Sequence, residues 1–283
     1  VSFYTDKSIL VTGGTGSIGS EIVRRLLLEK PRVVRVLSTD DSKQHDLCES
    51  LKHPDNLRRL IGDVRDLERM REACRDIDFV FHAAALKHVD AGEYNPMEFV
   101  KTNVEGTWNA LKASRECGVQ KFMLISTDKA VNPVSVMGGT KFLAERIVKD
   151  INRWPGTRCG CVRMGNIRNS RGSLIPKMRK QAAEGGPLTI TDRKALRYFI
   201  RIEDAVTFIL ASMKSMAGGE VFIPKMEELR IADFIEGMAE FAGVGVTYTG
   251  FGEGEKDREE LFTDIEGKRA ITDNGIGGVV IVP

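Results

Sequence analysis

Cysteine and histidine are scarce in this sequence of 283 residues, at five and four. The cysteines, Cys48, Cys74, Cys117, Cys159 and Cys161, are odd in number and lack framework spacing. A disulfide scaffold is therefore not expected, and the thiols read as the reduced ones of a cytoplasmic protein. Cys159 and Cys161 flank one glycine in an apolar run with no matching Cys/His set. They read as core, and no metal site is expected. His82 and His88 read as structural. No apolar run reaches the roughly 18 residues of a membrane span, and no signal peptide opens the chain. A membrane segment is thus not expected in it. An excess of either charge is missing too: 42 basic residues face 40 acidic ones, net +2, with no basic block. That argues against nucleic acid as a partner. Internal repeats and low-complexity tracts are likewise absent.

What is present is apolar sequence cut into regular lengths. Hydrophobic residues make up 42% of the chain, ample for a buried sheet. Apolar runs at 8–11, 33–37, 60–64, 78–85, 121–126 and 157–164 read as strands. Helical spacing fills 18–28, 97–117 and 137–152, with Pro31 and Gly118 as stop signals. Strands alternating with helices mean βαβ units. The expected fold is α/β, a Rossmann-type doubly wound parallel sheet. Beyond Gly165 the pattern loosens into helices at 175–184, 203–216 and 231–242 and strands at 188–191 and 220–224. A glycine- and charge-rich stretch follows at 250–260. Residues 1–165 are expected to form a dinucleotide-binding domain. Residues 166–283 are expected to form a smaller substrate-binding region, partly interleaved with the first.

Residues 12–19 read TGGTGSIG, between the first strand and the first helix. Gly14, Gly16 and Gly19 satisfy one dinucleotide spacing, and Gly13, Gly16 and Gly19 another. Glycines permit a tight turn and close backbone approach, and the helix N-terminus offers N–H groups to a pyrophosphate. Thr15, Ser17 and Ile18 complete this loop. The second strand ends in LSTDDSKQ, residues 37–44. Ser38 leaves room for a 2′-phosphate that Lys43 could pair with, which favours NADP, while Thr39 stands where an Arg would strengthen that choice. Asp40 or Asp41 could instead take ribose hydroxyls, so NAD is possible, and Lys43 could be a solvated helix residue. Asp63 and Val64 suit an adenine contact.

Further motifs occur in a fixed order: HAAALKHV at 82–89, EYNP at 93–96, STDKAVNP at 126–133, GNIRNSRGSLIP at 165–176 and RYFIRIEDA at 197–205. Together with the glycine loop they resemble the UDP-N-acetylglucosamine 4,6-dehydratases, a family of extended short-chain dehydrogenases, over nearly the whole chain. The resemblance implies a redox-neutral reaction: C4 oxidation of a UDP-sugar, loss of water across C5 and C6, and hydride return to C6. It implies Thr127 as the hydrogen-bond partner of O4, Asp128 as the acid for the C6 hydroxyl, Lys129 as the C5 base and Lys141 on the nicotinamide ribose. Ala83, Ala84 and Ala85 would line the cofactor. Lys87, Asn166, Arg171, Ser173 and Arg197 would bind the UDP-sugar. A homo-oligomer is implied as well.

Two departures stand out. Met137 occupies a position where many members carry a catalytic tyrosine, although the Met variant also occurs in the family. A proton route without Tyr has Asp128 taking the O4 proton and later giving it to the C6 hydroxyl. It requires Lys129 to start neutral, with Lys87 and Lys141 nearby pushing its pKa below ~10.4. The second departure is GEGEK at 252–256, where the family has Arg-Pro-Gly-Glu-Lys. Gly252 replaces that Arg, and Arg258 is the candidate to compensate. The competing readings are a UDP-hexose 4-epimerase, which needs no C5 base, and a non-catalytic NADP-binding regulator.

Overall fold

The computed structural model describes residues 2–168, 170, 173–273 and 275–283. In chain order its strands are β1 (Ser8–Thr12), β2 (Val33–Ser38), β3 (Leu57–Ile61), β4 (Phe79–His82), β5 (Lys121–Thr127), β6 (Arg158–Met164), β7 (Asn166–Ile167), β8 (Leu188–Ile190), β9 (Leu196–Ile200), β10 (Val221–Pro224), β11 (Glu227–Arg230), β12 (Val246–Tyr248), β13 (Ala270–Asp273) and β14 (Gly278–Ile281). The helices are α1 (Ser17–Leu28), α2 (Asp41–Ser50), α3 (Leu67–Cys74), α4 (Val89–Tyr94), α5 (Pro96–Phe99), α6 (Gly106–Glu116), α7 (Val136–Ile151), α8 (Leu174–Ala183), α9 (Ile202–Ser215), α10 (Ile231–Ala242) and α11 (Asp264–Gly267).

Nine strands form one sheet in the order β13-β14-β10-β6-β5-β4-β1-β2-β3. It is parallel from β3 to β10, and β14 and β13 add an antiparallel edge. The α/β, doubly wound expectation is met. All five residues of β1 are buried, because helices cover both faces. Side chains alternate across a strand. Ile9 and Val11 therefore join Ile22 and Val23 of α1 and Val206 and Ile209 of α9. Leu10, between them, joins Met70 of α3, Leu111 of α6 and Val148 of α7 on the other face. Each such side chain contributes roughly 1.5–3 kcal/mol on burial, so a slip of one residue in register is strongly disfavoured.

Several elements differ from the sequence expectation. The third strand lies at 57–61, not 60–64, because an edge strand with one neighbour tolerates the exposed Arg58 and Arg59. Helices α2 and α3 carry few apolar residues and start at aspartates: Asp40 accepts from the Lys43 N–H and Asp66 from the Arg69 N–H. The helix expected at 97–117 is split by a π-helical turn, Val100–Glu105. β9, β11 and β7 form a separate three-stranded sheet, and β12 pairs with β8.

The segment that leads into the β13–β14 hairpin is fastened through one buried cation. Arg163 on β6 is 2% exposed. It donates to Glu145 of α7 at 2.6 and 3.1 Å, to both oxygens of Glu266 of α11 at 3.0 Å, and to the Leu261 carbonyl at 2.8 Å. Burial works to raise the Glu266 pKa, but the Arg163 hydrogen bonds and charge prevail and hold it at about 2. A depressed carboxylate contributes stability that is present above its unfolded pKa, about 4.3. That contribution is lost as pH falls through the folded value. Glu266→Gln is therefore expected to cost about 1–3 kcal/mol in urea unfolding near neutral pH. The gap from wild type should close as pH approaches about 2; a gap that is the same at acid pH would contradict this.

Candidate active site

Strand order reverses between β1 and β4, and clefts open outside the C-terminal ends of such strands. The glycine loop sits there. Gly13 has φ +63°, and a Cβ on it would lie 2.6 Å from the Ala84 nitrogen. A Cβ on Gly19 would lie 2.3 Å from the Gly13 carbonyl oxygen. These two positions therefore admit only glycine without displacing backbone. The N-cap of α1 is Gly16, which has no side chain of its own to offer the N–H groups of that N-terminus.

Two clefts meet at this loop. The first, of ≈ 500 Å³, is lined by Gly13, Thr15, Gly16, Ser38, Thr39, Asp40, Lys43, Asp63, Val64 and Ala83–Ala85, among others. Lys43 does not extend freely into it, because its Nζ lies 2.5 Å from Asp40 Oδ2, one helical turn away. Asp63, expected at an adenine, holds Arg65 through three hydrogen bonds.

The second cleft, of ≈ 510 Å³, brings together Ser17, Ile18, Gly19, Lys87, Thr127, Lys129, Met137, Lys141, Asn166 and Ser173. Lys141 is buried and donates to the Ile125 carbonyl at 2.6 Å. Burial lowers its pKa to about 8, against the pull of Glu145 and Cys161. Met137, 4% exposed, stands one turn before it. His82 is fully buried between Thr12 and Thr107, with its pKa lowered to about 3 by burial and Lys141, and serves as a packed hydrogen-bonding group.

After β5 the chain makes a short 3₁₀ turn, Asp128–Ala130. Asp128 is fully buried behind its neighbours. Its Oδ1 accepts from Thr127 Oγ1 at 2.9 Å and from Lys129 Nζ at 3.1 Å. Its Oδ2 has no hydrogen-bond partner. Lys129 Nζ also lies 3.2 Å from Oε1 of Glu259, which is 4% exposed. Here the sequence reading is corrected. Burial works to lower the Lys129 pKa, but Asp128 and Glu259 outweigh it and raise the pKa, so Lys129 rests as an ammonium and not as a neutral amine.

The residues expected to hold the UDP-sugar scatter. Asn166 and Ser173 line the second cleft, with Ser173 Oγ buried and lacking a hydrogen-bond partner among the described residues. Arg171 lies outside the described residues. Arg197 on β9 gives its guanidinium to the Leu196, Lys256 and Asp257 carbonyls. Arg258 does not compensate for Gly252. It is paired through two nitrogens with Glu228 of β11 and lines neither cleft. Gly252 itself borders an adjoining cavity of ≈ 930 Å³ that shares His88 and Ser173 with the second cleft. That cavity presents Asp90, Glu93, Glu253 and Glu255 against Lys177.

Sequence reasoning missed Glu259, Lys177 and Asn103. Glu259 follows the GEGEK motif by three residues, and only its burial sets it apart. Asn103, in the π-helical turn, holds the Leu86 N–H and carbonyl and donates to Thr140 of α7, which fixes the wall that carries Lys87.

A model of the family described as "Polysaccharide biosynthesis protein" matches residues 9–277. An uncharacterized membrane protein of Methanocaldococcus jannaschii is 46% identical over 94% of this chain and 83% of its own. A UDP-N-acetylglucosamine 4,6-dehydratase (inverting) of Campylobacter jejuni is 44% identical over 83% of this chain and 72% of its own. A UDP-glucose 4-epimerase of Rickettsia typhi is 36% identical over 99% and 84%. The X-ray structure of Pen from Bacillus thuringiensis superposes with a TM-score of 0.95 at 37% identity, covering 99% of this chain and 89% of that one. Among the described residues no helix is long and apolar enough to cross a membrane.

Proposed function

The chain belongs to the polysaccharide biosynthesis protein family, and from that premise we propose that it is a nucleotide-sugar 4,6-dehydratase acting on UDP-N-acetylglucosamine. The observation that carries this reading is Thr127 and Lys129, with Asp128 buried and bonded to both, sharing one cleft with Lys141 and the glycine loop. An epimerase needs the C4 chemistry but has no use for an amine beside the sugar at C5.

A dinucleotide fits the residues present, since the loop at Gly13 and Gly19 leaves no room for a Cβ and the helix that follows starts at a glycine. When bound, a nicotinamide would supply the acceptor for the C4 hydride and its return to C6. Lys141 holds the ribose side of the cleft. Thr127 Oγ1 receives the O4 proton and relays its own to Asp128 Oδ1, 2.9 Å away. A protonated Asp128 no longer holds Lys129 charged, so C4 oxidation prepares Lys129 to lose a proton. The neutral amine then takes the C5 proton. Asp128 returns its proton, through Thr127, to the departing C6 hydroxyl. After hydride reaches C6, Lys129 gives the C5 proton back. Met137 takes no part in this route. The nucleotide extends past Asn166 and Ser173 toward the cavity that holds Lys177.

The purified protein should convert UDP-N-acetylglucosamine to a product lighter by one water with no net cofactor consumed, read by mass spectrometry. An unchanged mass with inverted C4 would favour the epimerase, and binding without turnover the regulator. Lys129→Met should let cofactor reduction proceed yet block solvent deuterium from C5. Asp128→Asn should abolish cofactor reduction. Each loss should be about 100- to 10,000-fold. Rapid reduction in Asp128→Asn would remove Asp128 from the first step.

NADP is the cofactor we propose, with NAD possible, because Lys43 can exchange Asp40 for a 2′-phosphate at the rim of the first cleft. In calorimetry Lys43→Ala should weaken NADP binding and spare NAD. Equal loss for both would defeat the assignment.

We also propose a homo-oligomer, since α6 and α7 leave Trp108 and Leu143 half exposed. Light scattering at micromolar concentration checks it, and a monomer mass would contradict it.

A further inference from the structure

Lys129 is reached by charged groups from several elements. Asp128 approaches from its own turn and Glu259 from the segment after GEGEK, while the Arg197 charge on β9 opposes them. Lys87 and Lys141 line the same cleft. Behind Glu259, Lys256 Nζ lies 3.9 Å from Oε2 and donates to the Val131 carbonyl at 2.6 Å. Glu260, next in sequence, accepts from Asn132 Nδ2 at 2.5 Å. The main chain just before Glu259 is held by Arg197 and by the Leu196 N–H. Glu259 is thus fixed from both sides against Lys129, and its Oε2 is buried without a hydrogen-bond partner.

A buried carboxylate held so firmly for an amine does more than fill space. Removing one partner of a buried pair leaves the other uncompensated, so the structure could discard Glu259 only at a cost. We propose that Glu259 is a positioning residue that sets the charge of Lys129, holding the ammonium at rest and receiving its proton when Asp128 becomes protonated. This rests on the dehydratase reading for its chemistry. The transfer is balanced: one Lys129 N–H bond breaks, a Glu259 Oε1–H bond forms, and the amine is left with its lone pair for the C5 proton. Once Lys129 has returned that proton to C5, Glu259 returns the stored proton to Nζ. No net charge enters or leaves the site, so turnover depends little on the proton concentration outside.

The test reads Lys129 directly, by carbon-13 NMR of its Cε in lysine-labelled protein, assigned with Lys129→Arg. In Glu259→Gln, which keeps the shape and a hydrogen-bond acceptor, the Lys129 titration should fall by about one pH unit or more. Glu259→Asp keeps the charge and should titrate near wild type. This readout needs no turnover, so it stands apart from the dehydratase reading, which fails separately if the wild type releases no water from UDP-N-acetylglucosamine. In turnover, Glu259→Gln should be slowed about 10-fold or more near neutral pH and recover in alkali, where solvent takes the Lys129 proton. An unmoved Lys129 titration in Glu259→Gln, or a rate loss equal at every pH, overturns the proposal. So does a Glu259→Asp variant as impaired as Glu259→Gln.

Discussion

Parallel strands all end at one edge of their sheet, and each must be followed by a crossover that carries the chain back. In this molecule that constraint gathers distant stretches of sequence. β1 delivers Gly13, β2 delivers Ser38, β4 delivers Ala83, β5 delivers Thr127 and β6 delivers Gly165 to the same rim. The covered faces supply the cohesion, and the open rim supplies the chemistry. The reversal between β1 and β4 then separates their crossover helices and leaves a gap that the glycine loop can edge.

The sequence was informative where one physical signal controlled the outcome. Two-sided burial makes the inner strands continuously apolar, so β1, β2, β5 and β6 were placed to within a residue or two. Where that signal weakens, so did the reading. β3 has one neighbour and carries Arg58 and Arg59. β13 and β14 are four residues each and form an edge hairpin whose partner, β10, lies some fifty residues back. The helices α2 and α3 depend on aspartate caps more than on an apolar stripe.

The site shows the same division. Glycine spacing and the Thr127–Lys129 run announce themselves locally. Charge state does not, because it is set by whatever the fold brings within a few ångströms. Nothing near Lys129 in sequence points to Glu259, and the expected influence of Lys87 and Lys141 loses to two carboxylates in contact with Nζ. Lys43 and Arg258 are the reverse case. Each looked available for an anion, and each is met by an acid of the chain, Asp40 or Glu228.

One partner of Lys129 and one of Arg163 come from far along the chain: the Asn132–Glu260 bond beside Lys129 spans 128 residues, and Arg163–Glu266 spans 103. Synthesis runs at roughly 5–20 residues per second. The inner strands thus leave the ribosome many seconds before Glu259 and Glu266, the second acids on their buried cations. Until then Lys129 relies on Asp128 and Arg163 on Glu145. The stretch from Glu259 to Glu266 therefore completes the charge balance of an interior whose parallel strands are already made.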